Sequence, residues 1–280
     1  MTFEIGVGSA DDVQRMARWA ANEGWNPGNT DAQAFFVTDP GAFLIGRLDG
    51  EPVTCISVVK YGQANGFLGF YIARPVVRGK GRGLPTWDAG MARLAGRNVG
   101  LDGVVAQQAN YRKSGFRNAW NNIRYEGPPP ETAPPAGVTL VDARSVPFDR
   151  LAAYDRRFFP EARESFLAAW ISLPERSARV AVRDGSIVGF AVMRACPAAS
   201  RVGPLFADAS EIAEALVAGL ARDMKAGAVA IDIPDLNKLA VALAEKAGLK
   251  PSFETARMYT GDDPVIDYGG LFGVTSLELG

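Results

Sequence analysis

Two stretches of this chain repeat one another at a fixed distance, which limits the folds open to it. Phe43-Leu-Ile-Gly-Arg-Leu-Asp49-Gly50-Glu-Pro-Val53 reads as a strand, an Asp-Gly turn and a second strand, and Ala178-Arg-Val-Ala-Val-Arg-Asp184-Gly185-Ser-Ile-Val188 is the same unit. Asp-Gly between apolar runs signals a hairpin because tight two-residue turns need positive φ, which these residues tolerate. Further on, Lys113-Ser-Gly115-Phe116 and Ile123-Arg-Tyr125 are mirrored by Lys246-Ala-Gly248-Leu249 and Arg257-Met-Tyr259. Asp49 and Asp184, Gly115 and Gly248, and Tyr125 and Tyr259 stand 135, 133 and 134 residues apart. Such constant spacing implies two copies of one fold. Between them, residues 126–137 hold five prolines, an extended segment that can continue neither a helix nor a central strand. The expected organisation is a first domain over 1–127, a proline-rich linker over 128–137 and a second domain over 138–280.

Each copy reads as α+β, a mixed central sheet flanked by helices. Ser9-Ala-Asp-Asp12 resembles a capping box opening a helix whose Val13, Met16, Ala17 and Ala20 share a face, with Gly24 as its stop. Strands are expected near 42–48, 53–60 and 66–73. A helix carrying Trp87, Met91 and Leu94 on one face follows, then a strand at 101–106, a short helix ending at Gly115 and a strand at 119–125. In the second copy, helices are expected near 148–154, 161–170, 209–221 and 236–247, the last with a core stripe of Leu236, Leu239 and Leu243.

The connection after the third strand carries the chemistry. Tyr71-Ile72-Ala73-Arg-Pro75-Val-Val-Arg78-Gly79-Lys80-Gly81-Arg82-Gly83-Leu-Pro85 is a strand stopped by proline, a glycine-rich basic turn and a helix start. Glycines let the backbone approach an anion, a helix N-terminus offers free N–H groups, and Arg78, Lys80 and Arg82 add full charges, so the turn suits a pyrophosphate. A P-loop string is absent, and the Gly79-x-Gly81-x-Gly83 spacing after three strands does not fit a dinucleotide fingerprint. A plain glycine-rich connection with solvated basic residues is the bland alternative. The pattern [QR]-x-x-G-x-[GA] is met by Arg78, Gly81 and Gly83.

With that pattern, and with Asn110-Tyr111-Arg-Lys-Ser114-Gly115-Phe116 placing a tyrosine four residues before a glycine, residues 3–127 resemble the GNAT family of N-acyltransferases. The second half resembles a GNAT fold without its cofactor machinery. Arg201-Val-Gly203-Pro204-Leu-Phe-Ala-Asp208 lacks the glycine pattern, and Ala244 replaces the tyrosine. The whole chain, including its ending Leu271–Gly280, resembles the tandem, YitH-like kind, with two GNAT-like acyl-CoA N-acyltransferase domains and one cofactor site.

That resemblance implies binding of acetyl-CoA. The pantetheine arm would bond the backbone of Tyr71, Ile72 and Ala73, and the pyrophosphate would rest on Arg78, Gly79, Lys80, Gly81, Arg82 and Gly83. Asn110 would also contact the cofactor, although the family's asparagine usually lies several residues earlier, where Gln107 stands. Tyr111 would protonate the departing coenzyme A thiolate, a reasonable transfer between groups of similar pKa. Many GNAT enzymes carry a glutamate base on the fourth strand, and residues 66–73 hold no acidic residue. Glu23 is the nearest candidate base, with a water chain to a more distant carboxylate as the alternative. Trp25, Asn26, Tyr61 and Trp120 are candidate acceptor-pocket residues.

The chain has no histidine, which excludes histidine-based nucleophilic catalysis and histidine metal ligation, and no metal is expected. A net charge of −1 gives no reason to expect nucleic acid or a membrane surface as partner. The N-terminal residues lack a signal-peptide pattern, and a cytoplasmic location is expected. The expected activity is acetyl transfer from acetyl-CoA to a small primary amine bound between the domains, by direct attack on the thioester. A non-catalytic acyl-CoA sensor is the alternative.

Overall fold

The structure, a computed structural model, describes residues 2–280. The first half runs β1 (Phe3–Val7), α1 (Ala10–Asn22), α2 (Asp31–Thr38), β2 (Phe43–Leu48), β3 (Glu51–Tyr61), β4 (Asn65–Ala73), α3 (Gly83–Arg93), β5 (Asn98–Val104), α4 (Gln108–Lys113) and β6 (Arg117–Gly127). The second half runs β7 (Val138–Asp142), α5 (Phe148–Asp155), α6 (Glu164–Ser172), β8 (Arg176–Arg183), β9 (Ser186–Arg194), β10 (Ser200–Ala207), α7 (Ser210–Met224), β11 (Val229–Pro234), α8 (Lys238–Lys246), β12 (Lys250–Tyr259) and β13 (Leu271–Gly273). Residues 128–137 form neither helix nor strand.

The repeat is visible in local geometry. Asp49 and Gly50 turn with φ of 47° and 87°, and Asp184 and Gly185 with φ of 49° and 73°, the paired positive values of the hairpin turn their sequence demands. Ser9 caps α1 reciprocally with Asp12, and Gly24, at φ 80°, follows the helix end. Of the expected stripe on α8, Leu243 alone packs against the core. Leu236 precedes the helix and Leu239 is 61% exposed, because Asn237 caps the helix in a rotation that buries Ala240 and Ala244 instead.

The strands join in one sheet ordered β1-β2-β3-β4-β5-β12-β6-β11-β10-β9-β8-β7, with β13 paired to β10. The two halves have exchanged their sixth strands: β12 of the second half lies between β5 and β6, and β6 of the first half pairs with β11. Both exchanged strands are antiparallel to their neighbours, so either copy satisfies the ladder.

Alternation along the strands builds a core on each face. On one face Cys55, Val59, Phe70, Ile72, Phe190 and Val192 join α1, α2, α5 and α6 in one core shared by both halves. Phe35 of α2 stacks on Trp170 of α6 at 5.8 Å. On the other face Ile56, Val58 and Leu68 pack under α3, and Ala191, Met193 and Ile231 under α7 and α8. The join also carries buried charge. Arg124 on β6 forks onto both oxygens of Asp232 on β11, at 2.7 and 3.1 Å, and Arg257 on β12 forks onto Asp102 on β5, at 2.9 and 2.6 Å. Among the described residues no helix is long and apolar enough to cross a membrane.

Candidate active site

β4 and β5 run parallel and paired only from Asn65–Leu68 against Asn98–Leu101. Beyond Leu68 they diverge, and the β5-facing edge of β4 has no strand partner. Opposite Ile56, β4 bulges at Phe70, which holds φ at 47° and whose carbonyl accepts a bond from the Cys55 thiol at 3.1 Å. Bulges and positive φ outside glycine commonly mark places where a sheet serves a ligand. The gap opens into a cavity of about 760 Å³ walled by residues 68–73 of β4 and 101–104 of β5.

At the mouth, Gly79 and Gly81 adopt φ of 73° and 69°, which turn the chain into α3. No side chain caps that helix, leaving its first amides free for an anion. Arg78 donates through Nε to the carbonyl of Ala73 at 2.8 Å and pairs through its guanidinium with Glu23. Lys80 is exposed, and the Arg82 guanidinium sits 5.4 Å from the centre of the Phe3 ring. An open β4 edge, a glycine turn and an uncapped helix in line fit a long arm ending in phosphates.

Tyr111, on α4, stacks on Trp87 at 5.7 Å. Its ring lies against Gly103, where a β-carbon would overlap it. Among the described residues its hydroxyl has no hydrogen-bond partner, and the side chain lines the cavity. Burial, reinforced by the nearby Tyr71 phenol, pushes Tyr111 up to about 12, so it keeps its proton at neutral pH. Gln107 and Asn110 both line the cavity and bond to one another, the Asn110 amide donating to Gln107 Oε1 at 2.8 Å.

The acceptor-side expectations divide. Trp25 lines the cavity, and so does Glu23 near its mouth. Glu23 pairs with the Arg78 guanidinium, and both side chains are partly exposed. Asn26, Tyr61 and Trp120 stand outside the cavity wall. Asn26 stitches the halves together, its amide donating to the carbonyl of Ala199 and its Oδ1 accepting from the N–H of Ala198, both at 3.0 Å. Tyr61 is buried and donates to the carbonyl of Leu279 at 2.9 Å. Trp120 packs between Tyr259 and Tyr268 and donates to Asn122 Oδ1 at 3.0 Å. Loop position, polarity and aromatic character do not by themselves separate pocket residues from packing ones.

Four further wall residues come from the second half: Phe253 and Thr255 on β12, and Leu277 and Glu278 beyond β13. The sequence reading missed these four, since only the strand exchange and the path of the final residues bring them here. One signal was present: Glu278 is a lone acid in the apolar run Leu277-Glu278-Leu279. It is 3% exposed. Its Oε1 faces Arg201 at 3.3 Å, and Arg201 reaches Asp232 at 2.5 Å. Burial opposes the charge on Asp232, but the Arg124 and Arg201 guanidiniums hold its pKa well below the usual range.

The second half has the counterpart of the slot, and the chain itself fills it. β10 pairs in parallel with β11 only over Ser200–Val202, and β13 then lies along β10 through Leu205–Gly273 and Phe206–Leu271. The N–H of Val274 bonds the carbonyl of Asp232 on β11 at 3.0 Å. Gly203 allows the closest approach, for a β-carbon there would overlap the carbonyl of Thr275.

The remaining open slot, with a basic glycine turn at its mouth, fits an acyl-CoA-dependent transferase. A model of the GNAT acetyltransferase domain matches residues 151–273. A holothin acyltransferase from Pseudoalteromonas sp. (strain SANK 73390) is 31% identical across 97% of this chain and 92% of its own length. The N-acetyltransferase YitH of Bacillus subtilis, itself uncharacterised, is 24% identical over 96% of both chains. Among solved structures, a candidate acetyltransferase from Pyrococcus horikoshii superposes with a TM-score of 0.83 at 20% identity, covering 99% of this chain and 96% of that one. A tandem GNAT protein of the clavulanic acid pathway superposes with 0.65 at 16% identity, covering 94% of this chain and all of that one. The chain belongs to the GNAT family and is an acyltransferase built from two tandem GNAT-like halves.

Proposed function

We propose that the protein transfers the acetyl group of acetyl-CoA to the amine of a small, partly apolar molecule bound where the halves meet. The observation that carries this reading is the composition of the cavity. Its cofactor side is all first half, and its far side adds Phe253, Thr255, Leu277 and Glu278 from the second. Clefts between structural units are common ligand sites. Apolar surface from Trp25, Phe253 and Leu277 beside Thr255 and Glu278 suits a compact amine.

When bound, acetyl-CoA supplies an acyl group activated as a thioester. The free edge of β4 at Tyr71, Ile72 and Ala73 orients the arm, and the backbone amides around Gly79, Gly81 and Gly83 hold the pyrophosphate beside Arg78, Lys80 and Arg82. Glu23 steadies Arg78 across the mouth, while Gln107 and Asn110 flank the arm as a bonded pair. Tyr111 holds a proton facing the slot and gives it to the leaving sulfur. Trp25 and Phe253 shape the acceptor side.

The test is thiol release from acetyl-CoA over a panel of primary amines, with holothin, the compound named in the relative, among them. Amine-dependent release with mass-spectrometric detection of the acetylated product supports the reading. Tight cofactor binding with only background hydrolysis would replace it with that of an acyl-CoA sensor.

A further inference from the structure

The cavity wall holds two buried polar atoms without a partner within the protein, Glu278 Oε2 and Thr255 Oγ1. Both residues are nearly inaccessible, at 3% and 2% exposed, and both come from the second half. Buried polar atoms are nearly always hydrogen-bonded, and one left open in a cavity wall calls for a partner such as a ligand or an ordered water. Fixing an unpaired carboxylate oxygen there is costly unless something in the cavity completes it.

The carboxylate is held rigidly. The carbonyl of Glu278 lies against Gly69, beside the Phe70 bulge of β4, and the carbonyl of Leu279 accepts from Tyr61. Oε1 is turned to Arg201, while Oε2 is unpartnered and enclosed within a residue of the cavity wall. Behind it, Arg124 and Arg201 are matched by Asp232 and Glu278, two positive charges against two negative. No acidic residue on β4 competes for the role, and Glu23 is occupied by Arg78.

We infer that Glu278 is the general base of the acetyl transfer, with Thr255 orienting the incoming amine beside it; this rests on the transferase reading above. As the nitrogen lone pair forms the C–N bond to the thioester carbonyl carbon, Glu278 Oε2 takes the proton the nitrogen loses. The C–S bond breaks, and the sulfur receives the proton of Tyr111. Exchange with water returns a proton to Tyr111 and removes the one on Glu278, so amine and acetyl thioester become amide and free thiol. The second half thus contributes a reacting group, supplied by residues that follow the strand filling its own slot.

Glu278→Gln keeps the shape and the acceptor facing Arg201 but removes the base. It is expected to lower kcat about 100-fold or more while coenzyme A affinity by calorimetry and the melting temperature stay close to wild type. If the glutamine variant is misfolded, Glu278→Asp decides. A base withdrawn by one methylene restores folding and coenzyme A binding but leaves kcat depressed, whereas a merely structural carboxylate restores kcat as well and overturns the inference. Wild-type kcat in a folded Glu278→Gln also overturns it, with the transferase reading intact. A wild-type protein that acetylates no amine overturns both.

Discussion

Gly69 on β4 lies against the carbonyl oxygen of Glu278, close enough that a β-carbon at position 69 would overlap it. The contact fixes the last residues of the second half onto the strand that bounds the open slot of the first. Gly69→Ala pits backbone against backbone, so the final segment must shift. Overpacking of this kind costs about 1–3 kcal/mol. The expected outcome is a lowered melting temperature with a fall in kcat larger than any change in coenzyme A affinity. An alanine variant with wild-type stability and turnover would show that the segment moves freely.

Tyr111→Phe removes only a hydroxyl from a ring held by Trp87 and Gly103. Coenzyme A affinity should be unchanged and kcat about 100-fold lower, the usual scale for losing a positioned acid. Burial pushes the Tyr111 phenol up to about 12. A raised pKa keeps the acid form present below that pH and loses it only on approaching it. A decline in kcat between pH 8 and 10 must therefore come from another group. Full turnover in Tyr111→Phe would return the residue to a packing role.

Reversing charge at the turn with Arg78→Glu and Arg82→Glu together should abolish coenzyme A binding by calorimetry, since two cations beside the pyrophosphate become anions. Glu23→Gln, by contrast, frees Arg78 from its carboxylate partner. It should leave kcat within about threefold and weaken coenzyme A binding by no more than about fivefold, the effect of an exposed ion pair being small. A large kcat loss in Glu23→Gln would make Glu23 the base.

Asp102→Asn leaves the buried Arg257 guanidinium without its carboxylate. Burial opposes the charge on Arg257, yet the Asp102 carboxylate raises its pKa and keeps it protonated. Breaking such a buried pair costs about 3–5 kcal/mol. Urea unfolding should show that loss in a single transition, because the pair joins strands from opposite halves. Two separate transitions would contradict the shared sheet.

Local chemistry explains what could be read from residue order alone. Asp49-Gly50 and Asp184-Gly185 dictate their turns, Gly79 and Gly81 dictate the turn into α3, and the interval from Tyr111 to Gly115 sets the phenol on its short helix. Pairing was not readable. β6 and β12 are similar strands with similar neighbours, and no local signal says which sheet position each occupies. The same lack hid Glu278 and Thr255, whose place in the wall depends on partners more than a hundred residues away. Leu239 misled because apolar spacing was read without the capping residue that sets the helix rotation.

The strand exchange also says something about the peptide bonds between the halves. Each half lacks the sixth strand of its own sheet position and donates one to the other, so the pairing of β6 with β11 and of β12 with β5 holds them together independently of residues 128–137. Two fragments cut within that segment and expressed together should reassemble into a working heterodimer, whereas either alone would display an unfilled sheet edge prone to aggregation. In that sense the tandem chain is a strand-swapped pair whose partners happen to be covalently tethered.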